Sequence, residues 1–480
     1  MKQRMWKLLL ALLLVLLLPV SVLLTGASLP SFYGESYYAV LPRMCQRLEQ
    51  VQGKKVVVIG GSNVAFGLDS LLLESILAEQ GYAYTVCPFG LYAAVGTGAM
   101  LDLSLDTLNA GDIVILAIEP TSETMSEYFG AEAFWKCAED APELVARLSP
   151  EKQGMLAGTY LSYLQQRLEI KRSGQLPVAQ GVYGAASFDD RCDLDYDRPG
   201  NLMPVGFDSA VTVELAQVQI SPVFSQQLRE YCARAERRGA AVLLSFSPVN
   251  RSCIGDLSEA SVEAFFNTCN QAFACPVISD PNRYILESGW FYDSNFHLNN
   301  AGAHLRTCLL AEDLLTYLGC YRELNLEIPP MPEPLSRVPE ESGEEECFAF
   351  QSAAGGVGYL VSGLTEEGRS RTTLRIPPSH EGKPVIGLTP DALKDAGLLE
   401  QLRIPESVES LPGGLFRNTE SLTRLVLEHT SAPCAISEDT FLGADQIRVY
   451  VPGEVYPMYR DGYGCENNLW MKYLDRIFQF

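Results

Sequence analysis

The chain has 480 residues, 47% hydrophobic and 20% charged, with 36 Lys and Arg against 59 Asp and Glu, a net charge of −23. That length exceeds what one hydrophobic core serves, so two or three domains are expected, and the composition excludes wholesale disorder. The acidic balance, without any basic cluster interleaved with aromatics, excludes general binding to nucleic acid or to anionic lipid headgroups.

Lys2, Arg4 and Lys7 precede an apolar run from Leu8 to Leu24, which spans about 26 Å as a helix. Residues 1–26 therefore read as a membrane anchor or signal segment, with the basic flank inside and the body outside the cell. Thr25-Gly26-Ala27 offers a cleavage point, in which case the body is secreted. Residues 27–50 read as a stalk ending in a short amphipathic helix. The 13 cysteines are scattered, with no CxxC pair and no zinc-type spacing; they read as small buried hydrophobes.

From Val56 strands and helices alternate. "KVVVIGG" is a strand, "DSLLLESILAEQG" a helix and "YAYTVCPFG" a strand; "GTGAMLDLSLDTL" is a helix and "GDIVILAIEPT" a buried strand. Later come the helix "SPVFSQQLREYCARAERRG", the strand "AAVLLSFSPVN", the helix "SEASVEAFFNTCNQAF", the short strand "PVISD" and the helix "NAGAHLRTCLLAEDLLTYLG". Continuous apolar strands alternating with helices predict an α/β domain, a parallel sheet between two helical layers, over residues 51–325. Residues 121–220 are less regular and read as an insertion over the sheet.

Residues 326–347, rich in Pro and Glu, form a charged linker. Beyond it, over 348–480, a repeat begins. Strand-like stretches start at Leu374, Leu402, Leu425 and Val449, at intervals of 28, 23 and 24 residues, separated by "DALK", "GGLF" and "DTFL" steps. Units that bury no face alone must stack, which predicts a small solenoid. The recurring LxIP strands and the "LPGGLFRNTESL" unit resemble BspA-like leucine-rich repeats of exported bacterial proteins.

Ligands of parallel sheets gather at the carboxyl ends of the strands. There "GGSN" places Ser62; taken alone such a serine is most commonly a plain helix N-cap, with nucleophile and anion-binding loop residue as the alternatives. A serine nucleophile needs a base oriented by a carboxylate. Of four histidines, His380 and His429 fall in the repeats, read as surface or edge residues, and His304 lies within the last helix, read as structural. His297 sits in the loop "GWFYDSNFHLNNAGAHL" with Asp293 four residues upstream, a spacing that lets the carboxylate turn back on the imidazole.

The Gly-x-Ser turn after the first strand and the Asp…His block before the last helix resemble the SGNH (GDSL-like) hydrolase superfamily over residues 51–320. The closest flavour is the membrane-anchored branch with the D-alanyl transfer protein of teichoic acid synthesis and the polysaccharide O-acetylation proteins. The resemblance implies Ser62 as nucleophile, His297 as base, Asp293 as orienting acid and Gly90 as an oxyanion donor. The chain departs from the pattern twice. One extra residue separates Asp293 from His297, which would aim the carboxylate off the ring. In place of the Gly-x-Asn-Asp block stands "LAIEPTSE", putting Glu119 where an amide donor belongs; Asn63 or Asn250 could supply that amide instead. Arg198 and Asn201 in "YDRPGN" are candidates for an anionic or sugar group, and Glu119 is expected to pair with an arginine such as Arg198.

These readings imply an exported, membrane-tethered acyltransferase or esterase acting on a cell-envelope glycan or teichoic-acid-like polymer. A membrane acyl-donor protein would be its partner, and it would need no metal or organic cofactor. The alternative is a surface binding or adhesion protein built on a degenerate SGNH fold and the repeats.

Overall fold

The computed structural model describes residues 25–480 except 27, 92, 175, 177–180, 204–205, 323, 325, 333–344, 454, 462–468 and 480. The apolar run at 8–24 and most of the Pro/Glu-rich linker lie outside the described residues. No helix among the described residues is long and apolar enough to cross a membrane.

The protein is mixed α/β with parallel sheets. Strands β1 (Lys55–Ile59), β2 (Thr85–Phe89), β3 (Ile113–Leu116) and β4 (Ala241–Leu244) form a parallel sheet in the order β2-β1-β3-β4. Alternation along the strands divides its two faces. Val57, Ile59, Val114 and Leu116 share an apolar cluster with helices Val40–Gln50, Thr97–Leu105 and Pro222–Arg237. Val56, Val58, Ile113 and Ile115 pack instead on helices Ser70–Glu79 and Asn300–Tyr317. At the amino ends, Lys55 Nζ meets Asp112 Oδ2 at 2.7 Å with both side chains fully buried. Asp112 also accepts from the N–H groups of Lys55 and Asn109, so its buried carboxylate is both ion-paired and hydrogen-bonded in this clasp between β1 and β3. "PVISD" forms no strand; Val277 makes a single parallel bridge to Leu244 beside β4.

Two differences from the sequence reading concern the segments over this sheet. Residues 121–220 contain a 24-residue helix, Pro150–Ser173, opened by Ser149-Pro150 and closed by Gly174 in the left-handed region at φ 71°. The stretch read as a free stalk lies against that helix: Leu29, Phe32 and Tyr33 cluster with Tyr163 and Leu164. Arg167 donates to the carbonyls of Gly26, Leu29 and Pro30. The stalk packs because its aromatic residues find an apolar helix face within reach.

Two small strands, β5 (Val249–Asn250) and β6 (Ile285–Leu286), pair in parallel beneath the loop that holds His297. After the linker, β7 (Phe348–Ser352) and β8 (Tyr359–Leu364) precede β9 (Thr373–Arg375), β10 (Ser379–His380) and β11 (Lys383–Leu388). β12 (Gln401–Ile404), β13 (Ser410–Leu411), β14 (Arg424–Leu427), β15 (Ala435–Ile436), β16 (Arg448–Val451) and β17 (Ile477–Gln479) complete the chain. Strands β9, β12, β14, β16 and β17 form a parallel ladder in that order. Leu374, Leu402, Leu425, Val449 and Ile477 stand in register across it, so the sequence repeat has a fifth rung at Ile477. His429 is buried, its Nε2 2.7 Å from Val408 O, not at an edge as expected.

The ladder's other face carries Val426, Tyr450 and Phe478, which belong to the same apolar cluster as the first sheet's core. Arg448 pairs with Asp197 at 3.1 Å across this contact. The turn Leu469–Arg476 touches the turn Gly181–Tyr183. The C-terminal ladder therefore leans on the first body beside Tyr183.

Candidate active site

β1 delivers its carboxyl end at Gly60-Gly61, and Ser62 opens the six-residue helix Ser62–Gly67. The sheet order changes direction at this strand, β2 lying on one side and β3 on the other, so the helix start faces the crevice where parallel sheets place ligands. The glycines are required by crowding. A Cβ at Gly60 would come within 2.5 Å of Ala117 O, and one at Gly90 within 2.6 Å of Gly61 O and 2.7 Å of Gly60 O. Gly90, just past β2, is thus pressed against the backbone preceding Ser62. At the far end of the helix, Arg306 donates to Gly67 O at 3.3 Å.

His297 Nε2 lies 2.7 Å from Ser62 Oγ, and His297 Nδ1 lies 2.7 Å from Asp293 Oδ1. The three residues predicted from the strand exit and the late loop are brought into one hydrogen-bonded line. The extra residue in the loop does not deflect the carboxylate. Ser294 Oγ accepts from the N–H groups of Phe296 and His297, and Tyr292 N–H donates to His297 O. The added residue is taken up in that tight turn, and both ends of the side-chain pair face each other.

Two further residues complete the setting. Phe66, one helical turn after Ser62, stacks on the His297 ring at 3.9 Å between centroids and 10° between planes. Tyr183 donates to Asp293 Oδ2 at 2.6 Å. Burial pushes the Asp293 carboxyl up, but the His297 ring and the bonds from His297 and Tyr183 outweigh it, leaving Asp293 below the usual carboxylate range. Sequence reasoning missed both residues. The i, i+4 spacing from Ser62 to Phe66 was a usable signal; for Tyr183, within the irregular insertion, there was none.

Glu119 follows β3 and is 3% exposed. Asn63 N–H donates to its Oε1 at 3.0 Å, and a Cβ on Gly61 would collide with its carboxyl group. It therefore straddles the turn at Ser62, touching the residues before and after it. The expected pairing with Arg198 does not form. Arg198 is itself buried, donates to Leu194 O at 3.4 Å and lies over the Phe66 ring at 5.5 Å. Burial draws its guanidinium down to about 10, offset in part by Tyr292 and Asp293.

The amide candidates are committed elsewhere. Asn63 Oδ1 accepts from Gly61 N–H at 2.9 Å and its Nδ2 donates to Ala117 O at 2.8 Å, a brace within the turn. Asn250 Nδ2 donates to Gly206 O, and its Oδ1 accepts from Ser252 N–H and Ser288 Oγ. Asn201 Nδ2 donates to Gly206 O and Ser288 O. Both are spent tying loops together, because a buried amide takes the nearest backbone partners. The remaining donors at the turn are Ser62 N–H, which as first residue of its helix has no intrahelical acceptor, and Gly90. His304 Nε2 lies 2.9 Å from Glu327 O, outside the site. Among the described residues no group of His, Cys, Asp and Glu is placed to hold a metal ion.

No protein-family model matches the chain, and no curated protein matches it either. Among solved structures it is similar in part to a leucine-rich cell surface protein from Faecalibacterium prausnitzii A2-165, at 16% identity and a TM-score of 0.19, over 25% of this chain and 38% of that one. It is similar as well to protein YXIM of Bacillus subtilis, at 12% identity and a TM-score of 0.28, over 56% of this chain and 58% of that one. The chain covers under two thirds of the length of either.

Proposed function

We propose that the protein is a serine esterase or acyltransferase of the SGNH type, exported and tethered to the membrane. Its substrate in this reading is an acyl ester on a cell-envelope glycan or teichoic-acid-like polymer. The observation that carries the reading is the line from Ser62 Oγ through His297 to Asp293, with 2.7 Å at each step, the spacing needed for proton transfer. The parallel sheet with Ser62 at the exit of β1 supports the SGNH-like layering. The five-rung ladder supports a leucine-rich-repeat solenoid, which would offer its surface to the polymer or to a membrane acyl-donor protein.

In the first step Ser62 Oγ bonds to the acyl carbon and its proton passes to His297 Nε2, while Asp293 holds the Nδ1–H and stabilises the imidazolium. The tetrahedral oxygen takes hydrogen bonds from Ser62 N–H and Gly90 N–H. Collapse expels the alcohol, which takes the proton from His297. Water, or a glycan hydroxyl in the transferase case, then attacks the acyl-serine by the reverse path.

The test is labelling with a fluorophosphonate and turnover of p-nitrophenyl acetate. One label per chain on Ser62 is expected, absent in Ser62→Ala, with turnover at least about 100-fold lower in His297→Ala. The second reading, a binding protein on a degenerate fold, is favoured by Glu119 at the place of an amide donor. Absence of both labelling and turnover, with envelope polysaccharide still bound, would establish that reading instead.

A further inference from the structure

Glu119 poses a chemical conflict: an ionised carboxylate beside a forming oxyanion would raise the barrier that the site must lower. Its surroundings resolve the conflict. The side chain is buried, and no arginine or lysine pairs with it among the described residues. Its Oε1 accepts Asn63 N–H, as a carbonyl oxygen does, which leaves Oε2 as the oxygen to carry a proton. The carboxyl lies against the Cα of Gly61, so it cannot withdraw from the nucleophile without moving the turn.

Building on the acyl-transfer reading, we infer that Glu119 is a catalytic residue held as a neutral carboxylic acid, whose Oε2–H donates a hydrogen bond to the oxyanion. The titratable groups acting on it are His297 from the late loop and Glu123 from the segment after β3. Burial is the largest influence and raises its pKa, against the smaller lowering by Asn63 N–H and by His297. During acylation the Ser62 Oγ–carbon bond forms, the carbonyl π pair moves onto oxygen and the serine proton moves to His297 Nε2. Glu119 keeps its own proton throughout and lends only a hydrogen bond. The donor supplied elsewhere by an asparagine is here supplied by an acid, so activity becomes sensitive to alkali in a way an amide site is not.

The experiment uses the full chain and p-nitrophenyl acetate, with fluorophosphonate labelling of Ser62 as a separate check. Glu119→Gln, which keeps a donor and the shape, should turn over at least about tenfold faster near pH 7 than Glu119→Leu, in which the donor is gone. In Glu119→Leu turnover should fall about 100- to 1000-fold, the loss seen when one oxyanion donor is removed. The parent should lose activity at alkaline pH as Glu119 ionises, and Glu119→Gln should lack that alkaline limb. An unchanged alkaline limb in Glu119→Gln, or a loss as large as in Glu119→Leu, would overturn the inference. The pH profile of Glu119→Gln decides the matter even where Glu119→Leu fails to fold. Absence of fluorophosphonate labelling in the parent would instead remove the acyl-transfer reading itself, which separates the two failures.

Discussion

Phe66 and His297 lie face to face, 3.9 Å between ring centroids, and Phe66 rides on the same short helix as Ser62. One rigid segment therefore sets both the position of Ser62 and the plane of the His297 ring. Arg198 lies over the Phe66 ring as well, adding a cation–π contact to the stack.

The first prediction follows from that stack. Phe66→Leu should leave the fold intact and cost about 1–2 kcal/mol, while Phe66→Ala should cost about 3–5 kcal/mol through the cavity left behind. Both should slow p-nitrophenyl acetate turnover more than they weaken binding, because the imidazole loses its orienting plane. Urea midpoints and a split of kcat from KM would measure this; unchanged kcat in Phe66→Leu would remove the orienting role.

The second concerns Tyr183. Its hydroxyl is a hydrogen bond to a charged acceptor, worth about 1.5–3 kcal/mol. Tyr183→Phe should let Asp293 protonate at higher pH, since the bond from Tyr183 is one of the causes holding that carboxyl low. The acid limb of the pH–rate profile should therefore shift upward, with a fall of about tenfold or more in kcat near neutrality. A profile that only scales down, without moving, would mean Tyr183 merely packs.

The third is a stability prediction at Asp193. Burial, opposed by bonds from Ser70, raises its pKa from 3.8 to about 6, even with Arg191 Nε at 3.8 Å. A raised folded-state pKa means the stabilisation is full below pH 3.8 and is lost as pH rises through about 6. Asp193→Asn removes the titration, so the variant should show less loss of stability than the parent between pH 4 and pH 7, by about 1–3 kcal/mol. Urea unfolding at several pH values measures it. Equal pH slopes for the two proteins would show that Asp193 ionises freely.

The fourth concerns the contact between the two bodies. The linker's composition implies that residues 51–325 fold alone. However, Val426, Tyr450 and Phe478 share the first body's apolar cluster. Phe478→Ser should lower the urea midpoint by the equivalent of about 1.5–3 kcal/mol and slow fluorophosphonate labelling of Ser62 in the full chain. Full labelling at the parental rate would show that the contact carries no catalytic role.

Much of this site could be read from the chain. The β1 exit, the scarcity of histidine and the Asp293–His297 spacing pointed to the three residues that the fold brings together. The loop's extra residue misled, because Ser294 absorbs it through two backbone bonds that spacing alone does not display. Tyr183 stayed hidden because its bond to Asp293 spans 110 residues of chain. The helix Pro150–Ser173 had its signals in Ser149, Pro150 and Gly174, but exposed Met155, Leu161 and Leu168 blurred its apolar stripe. Glu119 was legible as a position; its lack of a cation was not, since no sequence pattern tells which arginine a buried loop will reach.

A ribosome completes Ser62 long before Phe478, so the surfaces that meet beside Tyr183 become available at different times. The turn that presents Tyr183 to Asp293 is touched by Leu469–Arg476, and the face beside it is covered by Val426, Tyr450 and Phe478. In a nascent chain Tyr183 and Asp293 are therefore both made before Val426, Tyr450 and Phe478 can cover the face beside them. Strand β17 thus helps close an apolar face that the earlier strands leave open, and a chain shortened before Phe478 exposes aromatic and aliphatic side chains that otherwise lie buried.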